Sequence, residues 1–211
     1  MSLKKIGIKH GNRSGSEETK DRSRRVKILK EARSIFNRFG YRKTTIEDIS
    51  GACRLGKASL YHYFSSKEEI FAEVMRAEYE SELDRVRAAV RKTDDPKAQL
   101  VAMIKTRFKV VADIIEELTD KSIVSELPEL LPLASKVRQQ FFHEEVGILQ
   151  QILEEGQKQG IFREVKSPSV PIFIISALRG IQLHFVEMQD APSPEEGVEA
   201  MMDLFFKGLC L

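Results

Sequence analysis

The sequence predicts an all-α protein, on three observations. Long stretches carry apolar residues at a 3.6-residue period, and no stretch alternates apolar and polar residues between turn signals. All seven prolines, Pro96, Pro128, Pro132, Pro168, Pro171, Pro192 and Pro194, sit where one periodic stretch gives way to another. A chain of 211 residues can bury one good core or two small ones.

The first helix is expected over 22–39. Ile28, Leu29, Ala32, Ile35, Phe36 and Phe39 form one stripe, and Gly40 stops it. Thr45 is the N-cap of a short second helix, with Asp48 three positions on completing an approximate capping box. Ile46, Ile49 and Cys53 face its core, and the turn Arg54-Leu55-Gly56 leads to a third short helix. Either Ser65 or Ser66, each followed three residues later by a glutamate, starts a fourth helix that runs to about 92.

A fifth helix over 97–119 carries Leu100, Met103, Ile104, Phe108, Val111, Ile115 and Leu118 on one face. After the proline-broken run SELPELLPLAS, another helix spans 133–159 and Gly160 stops it. The last two helices are expected over 168–189 and 194–210. The first of these is apolar almost all round, which suits a domain centre or a subunit interface.

Charge divides the chain. Residues 1–75 hold 17 Lys and Arg against 9 Asp and Glu, while residues 76–211 hold 17 against 23. A basic head on an acidic body fits a module that binds a polyanion, although a solvated basic tail would give the same count. Cys53, Cys210 and the four histidines show no metal-ligand spacing, so no metal or cofactor is expected. No phosphate-binding glycine loop and no Gly-x-Ser-x-Gly is present, and no acid, base and nucleophile constellation supports an enzyme. No apolar run reaches the roughly 18 residues of a membrane span, and the polar N-terminus lacks a signal-peptide core, so a cytoplasmic protein is expected.

The segment GKASLYHYFSSKEEIF concentrates polar and aromatic chemistry on a short helix. On a helical wheel with Leu60 at zero, Phe64 lies about 40° away, while Ala58 and His62 lie at about 160° and 200°. Ser59 and Tyr61 flank them. The outward face therefore pairs small residues at its N-terminal end with hydroxyl and imidazole groups beyond. Such a face suits a helix entering the DNA major groove. Tyr63, at about −60°, is expected to pack instead.

Residues 25–71 closely resemble the DNA-binding domain of the tetracycline-repressor (TetR) family of bacterial transcription regulators. The matching residues are Ile28-Leu29, Ala32, Phe36, Gly40-Tyr41, Thr45, Ile46, Ile49, Leu60-Tyr61-His62-Tyr63-Phe64 and Lys67-Glu68-Glu69. The resemblance implies a helix-turn-helix domain over 22–66, preceded by a flexible basic tail over 1–21. A helical effector-binding and dimerisation domain would occupy 67–211. It also implies a homodimer, with recognition helices in successive major grooves of a palindromic double-stranded operator. Thr45 would then cap its helix at a phosphate, and Lys57, Ala58 and Ser59 would open the recognition helix. Tyr61 and His62 would contact backbone and bases, and Lys67 a phosphate. Arg24 and Arg25 would form an arm or remain solvated. The family's usual turn glycine is replaced by Arg54, which makes Arg54 a further DNA candidate and asks a left-handed backbone of a non-glycine residue.

The resemblance also implies a small-molecule pocket in the C-terminal helices. Candidate lining is Met103, Phe108, Val111, Ile115, Phe142 and His143, with ordinary core packing as the alternative for each. Its occupant would be apolar or amphipathic. The last two helices are expected to build the dimer as a four-helix bundle, through Phe173, Ala177, Ile181, His184, Phe185, Met201 and Phe205. The expected function is a ligand-released repressor. The alternative is a helix-turn-helix regulator whose C-terminal helices only dimerise or recruit a partner.

Overall fold

The computed structural model describes residues 14–117, 126, 130, 132, 133, 135–164, 167–187 and 194–210. Among them lie eight helices: α1 (Ser14–Lys43), α2 (Ile46–Cys53), α3 (Lys57–Tyr63), α4 (Lys67–Val90), α5 (Pro96–Glu117), α6 (Ser135–Lys158), α7 (Val170–Glu187) and α8 (Pro194–Leu209). The only extended pairing among the described residues is an isolated bridge between Phe162 and Cys210. The fold is all-α.

The first helix departs from expectation at both ends. It begins at Ser14, inside the stretch expected to be a flexible tail, and Gly40 breaks it rather than ends it. Gly40 adopts φ 79°, ψ 164°, and one further turn runs to Lys43. Positive φ favours glycine, and a Cβ there would lie 2.9 Å from Glu126 Oε1 and push that carboxylate away. The Thr44 hydroxyl donates to the Gly40 carbonyl at 2.6 Å, satisfying a group the break would leave orphaned.

Helices α1 to α3 and the first turns of α4 enclose one core. Ile28, Ala32 and Phe36 from α1 meet Ile49 and Cys53 from α2, Leu60 and Phe64 from α3 and its end, and Ile70, Phe71 and Val74 from α4. Leu130, far along the chain, joins the same core. Phe36, Tyr41 and Phe71 form an aromatic group with ring centroids 5.0–5.7 Å apart. The buried stripe of α1 ends at Phe36. Phe39 is exposed, with the Arg38 guanidinium 4.9 Å from its ring centre.

A second core fills the body. Val86 of α4, Leu100, Met103, Ile104 and Phe108 of α5, and Leu149, Ile152 and Leu153 of α6 pack with Ile175 and Leu178 of α7 and Val198, Met202 and Leu209 of α8. Asp95 caps α5, accepting from the Ala98 N–H at 3.0 Å. Gly160, at φ 69°, follows α6 as expected. A Cβ at Gly156 would lie 2.1 Å from the Phe162 ring, so only glycine allows that ring to seat on α6. Within this core Glu145 lies between Arg107 of α5, with which it is ion-paired, and Arg179 of α7 at 2.9 Å. Glu145 and Arg107 are deeply buried, and Arg179 is partly so.

Helix α7 has two faces. Pro171, Ile175 and Leu178 are buried, whereas Ile172, Phe173 and Ala177 are exposed. Over 170–180, the run that reads as apolar all round thus has one face in the core and another at the surface. No helix among the described residues is long and apolar enough to cross a membrane.

Candidate nucleic-acid interface

Local signals in the sequence set the interface. The Thr45 side chain accepts from the Asp48 N–H at 3.2 Å, and Asp48 Oδ2 accepts from the Thr45 N–H at 2.8 Å. This is a complete capping box at the N-terminus of α2. The Thr45 hydroxyl also donates to Asp48 Oδ2 at 2.7 Å, and this bond, followed by the one from the Thr45 N–H, holds the Asp48 carboxyl below its usual pKa. At the other end, Arg54 closes α2 in the left-handed conformation at φ 57°, ψ 42°. Its N–H donates to the Gly51 carbonyl at 3.0 Å, and the Leu55 N–H donates to the Ser50 carbonyl at 2.9 Å. Arginine thus adopts the backbone that glycine would take, at a cost of about 1–2 kcal/mol.

Helix α3 has only seven residues, too few to be stable in water alone. Leu60 at 0% exposure and Phe64 at 1% anchor it. Burying each contributes about 1.5–3 kcal/mol. Lys57, Ala58, Ser59, Tyr61 and His62 are all exposed, as is Arg54 in the turn before them. Tyr61 is 45% exposed. Tyr63 is only partly buried and packs against the head core, as expected. The outward face is the one drawn from the wheel.

Lys57 is ion-paired with Glu47 of α2 across the turn. The pairing lowers the Glu47 pKa and raises that of Lys57. A phosphate at Lys57 would have to displace Glu47. Thr45 is exposed at the head of α2, beside this pair.

Two cations expected at DNA are engaged inside the head. The Lys67 ammonium donates to the Tyr41 and Thr44 carbonyls, each at 2.9 Å, and lies 4.2 Å from the Tyr41 ring centre. Arg25 donates to the Tyr63 carbonyl at 2.8 Å and lies 4.2 Å above the Phe64 ring. Its guanidinium also lies 3.9 Å from Glu69 and from Glu73. Arg24 stays at the surface, its pKa raised by the neighbouring Tyr63 side chain. Ser66 is the serine that caps α4, accepting from the Glu69 N–H at 3.2 Å, while Ser65 bonds back to the Glu69 carboxylate at 2.6 and 2.7 Å.

Residues 28–74 match the profile of the family described as bacterial regulatory proteins, tetR family. The transcriptional repressor KstR2 of Rhodococcus jostii (strain RHA1) is 30% identical over 154 residues, covering 70% of this chain and 72% of that one. The chain belongs to the tetR family.

Two solved regulators share the fold. PfmR, a TetR-family transcriptional regulator from Thermus thermophilus, is 28% identical with a TM-score of 0.59, covering 85% of this chain and 97% of that one. AibR, solved in complex with isovaleryl coenzyme A and operator DNA, is 22% identical with a TM-score of 0.61, covering 87% and 98%. As a TetR-family member, this chain is a transcriptional regulator and not an enzyme.

The TetR-type body distributes the remaining candidates unevenly. Met103 and Phe108 are buried in its core, Phe142 packs against that core partly exposed, and His143 is exposed on α6. His143 therefore faces away from the interior that a lining residue must meet. The side chains of Val111 and Ile115 lie outside the described residues, as do those of Ile181, His184, Phe185 and Met201. Phe173 and Ala177 lie on the outer face of α7, while Phe205 packs against the body core.

Two features escaped the sequence reading. Glu126, which meets the break in α1, sits in the proline-broken run and carried no local signal. Glu145 did carry one, because it falls four residues after Phe141 and four before Leu149 on the buried stripe of α6. A carboxylate on such a stripe requires a buried cation.

Proposed function

We propose that this chain is a homodimeric repressor whose α3 helices read a palindromic operator and which a small molecule releases. One observation carries the reading. A short helix fixed by Leu60 and Phe64 presents Lys57, Ala58, Ser59, Tyr61 and His62 outward together. Ala58 and Ser59 allow close approach to base edges, and Tyr61 and His62 supply hydrogen-bonding tips. Thr45 and Arg54 flank the helix toward the phosphates. In this reading residues 22–66 form the head, and residues 67–211 carry dimerisation and the effector site.

Dimerisation rests on α7 and α8 across a two-fold axis, with Phe173 and Ala177 at the seam. Phe173 is 69% exposed, with Ile172 beside it on the same outer face, an apolar surface that a second subunit would cover. Two linked heads then span half-sites about one helical turn apart.

The effector is apolar or amphipathic and acts on the α5–α6–α7 core. AibR, of the same fold, is described with both an acyl coenzyme A and operator DNA, which is the pairing of ligands this reading requires. Coupling between the sites is reciprocal and typically about 5- to 150-fold. Paired titrations of a candidate compound, with and without operator, test this. A true effector binds free protein more tightly by the factor that it weakens DNA binding.

The effector-free reading has one observation in its favour, the complete burial of Met103 among its core neighbours. Compounds that bind equally with and without operator would support that reading instead.

A further inference from the structure

We propose that Glu126 is a positioning residue for operator recognition, tying the chain between α5 and α6 to the break in α1 and so orienting α2 and α3. The inference rests on the regulator reading above and adds a second link between body and head beside α4.

The break at Gly40 starts a new helical turn, and the first N–H groups of any helix lack intrahelical partners. Here those groups are on Tyr41 and Arg42. Both donate to the Glu126 carboxylate, at 2.9 and 3.1 Å, across 85 and 84 residues of sequence. Glu126 is only 8% exposed, so this is a buried, charge-assisted cap supplied from the body. Four residues on, Leu130 is buried in the head core with Ile28 and Phe36. Glu126 and Leu130 together seat this part of the chain on the head.

The same short backbone is gripped from its carbonyl side. Lys67 at the start of α4 takes the Tyr41 and Thr44 carbonyls, and Thr44 takes the Gly40 carbonyl. Thr45, the cap of α2, follows directly. A single link through α4 would fix how far the head sits from the body. A second link on the opposite side of residues 40–45 fixes its angle as well. Any movement of α5 against α6 is then transmitted to the seat of α2 through one carboxylate. The closed tie is the operator-competent arrangement, because it preorganises the head for binding.

The test uses the full chain and two variants, Glu126→Ala and Glu126→Gln. Amide exchange is followed at Tyr41 and Arg42, and affinity for operator DNA is measured over a range of salt. Glu126→Ala should accelerate exchange at both amides and weaken operator binding about 5- to 30-fold, the factor that 1–2 kcal/mol represents. The slope of affinity against salt should stay as in the unaltered chain, because no phosphate contact is removed. Glu126→Gln keeps an oxygen acceptor and should fall between the two, since neutral bonds are about half as strong. If Glu126→Ala fails to fold, faster exchange together with weaker operator binding in Glu126→Gln decides in favour. Unchanged exchange at both amides overturns the proposal, as does operator affinity equal to or above that of the unaltered chain. If the unaltered chain binds no duplex DNA, the regulator reading fails and amide exchange alone decides whether Glu126 makes the tie.

Discussion

Arg25 clamps the C-terminal end of α3, its guanidinium bonded to the Tyr63 carbonyl at 2.8 Å and lying 4.2 Å above the Phe64 ring. An arginine near the N-terminus of a DNA-binding head invites assignment to a phosphate, but this one is a brace. Arg25→Ala should therefore lower stability by about 1–2 kcal/mol, less than a fully buried charged hydrogen bond because the side chain is 38% exposed. Urea unfolding measures it. The salt slope of DNA binding should not change, whereas loss of a phosphate contact in each head of a dimer would reduce that slope by about 2.

Tyr61→Ala should weaken operator binding while leaving unfolding within about 0.5 kcal/mol of the unaltered chain, as surface substitutions usually do. Tyr61 is 45% exposed, and the neighbouring Leu60 and Phe64 keep the helix seated. Equal affinity, or loss of the fold, would remove Tyr61 from the reading face.

Most of the head could be read in the sequence because its signals are local. The capping box of Thr45 and Asp48, the serine start of α4, and the 3.6-period stripe through Ile28, Ala32 and Phe36 each involve residues within one or two turns. The outward set on α3 followed from Leu60 and Phe64 alone. Arg25, Lys67 and Glu126 could not be placed that way, since each bonds a backbone group 23 to 85 residues away and the backbone is the same at every position of a sequence. A charged side chain near a DNA-binding motif reads as a DNA contact until its internal partner is known. Helix α7 shows the converse limit, since an apolar residue looks the same in sequence whether it meets its own core or another subunit.

Arg54→Gly should stabilise the head. Left-handed backbone costs arginine about 1–2 kcal/mol, while the extra freedom of glycine in the unfolded chain returns about 0.5–1 kcal/mol. The net gain of up to about 1.5 kcal/mol should appear as a higher unfolding midpoint. If Arg54 also touches DNA, operator affinity falls in the same variant, so the two readouts move in opposite directions.

Acid should loosen the head before the body. Hydrogen bonds hold Asp48 and Glu69 below their usual pKa, led by those from Thr45 and Ser65, and Glu47 is lowered by Lys57. Their contribution is complete above the ordinary carboxylate value near pH 4, and it is lost as pH falls through the lowered folded values. Amide exchange in α2 and the first turn of α4 should therefore accelerate below about pH 4, ahead of the Leu149–Leu153 part of α6. Uniform acceleration across both cores would contradict this.

Phe173→Glu should give a folded monomer with weakened operator binding, because Phe173 lies on the exposed face of α7 and contributes little to its own core. Phe205→Glu should instead destabilise the subunit, since Phe205 packs against that core. Sedimentation and unfolding separate the two outcomes. A dimer unaffected by Phe173→Glu would move the interface elsewhere.

If two linked α3 helices read DNA sequence, selection from a random duplex library by the full chain shows it most directly. A palindrome with half-sites about one helical turn apart should be enriched. Binding to it should weaken steeply with salt and lose its preference in the Tyr61→Ala variant. A library that emerges without a palindrome, or one selected equally well by Tyr61→Ala, would contradict it.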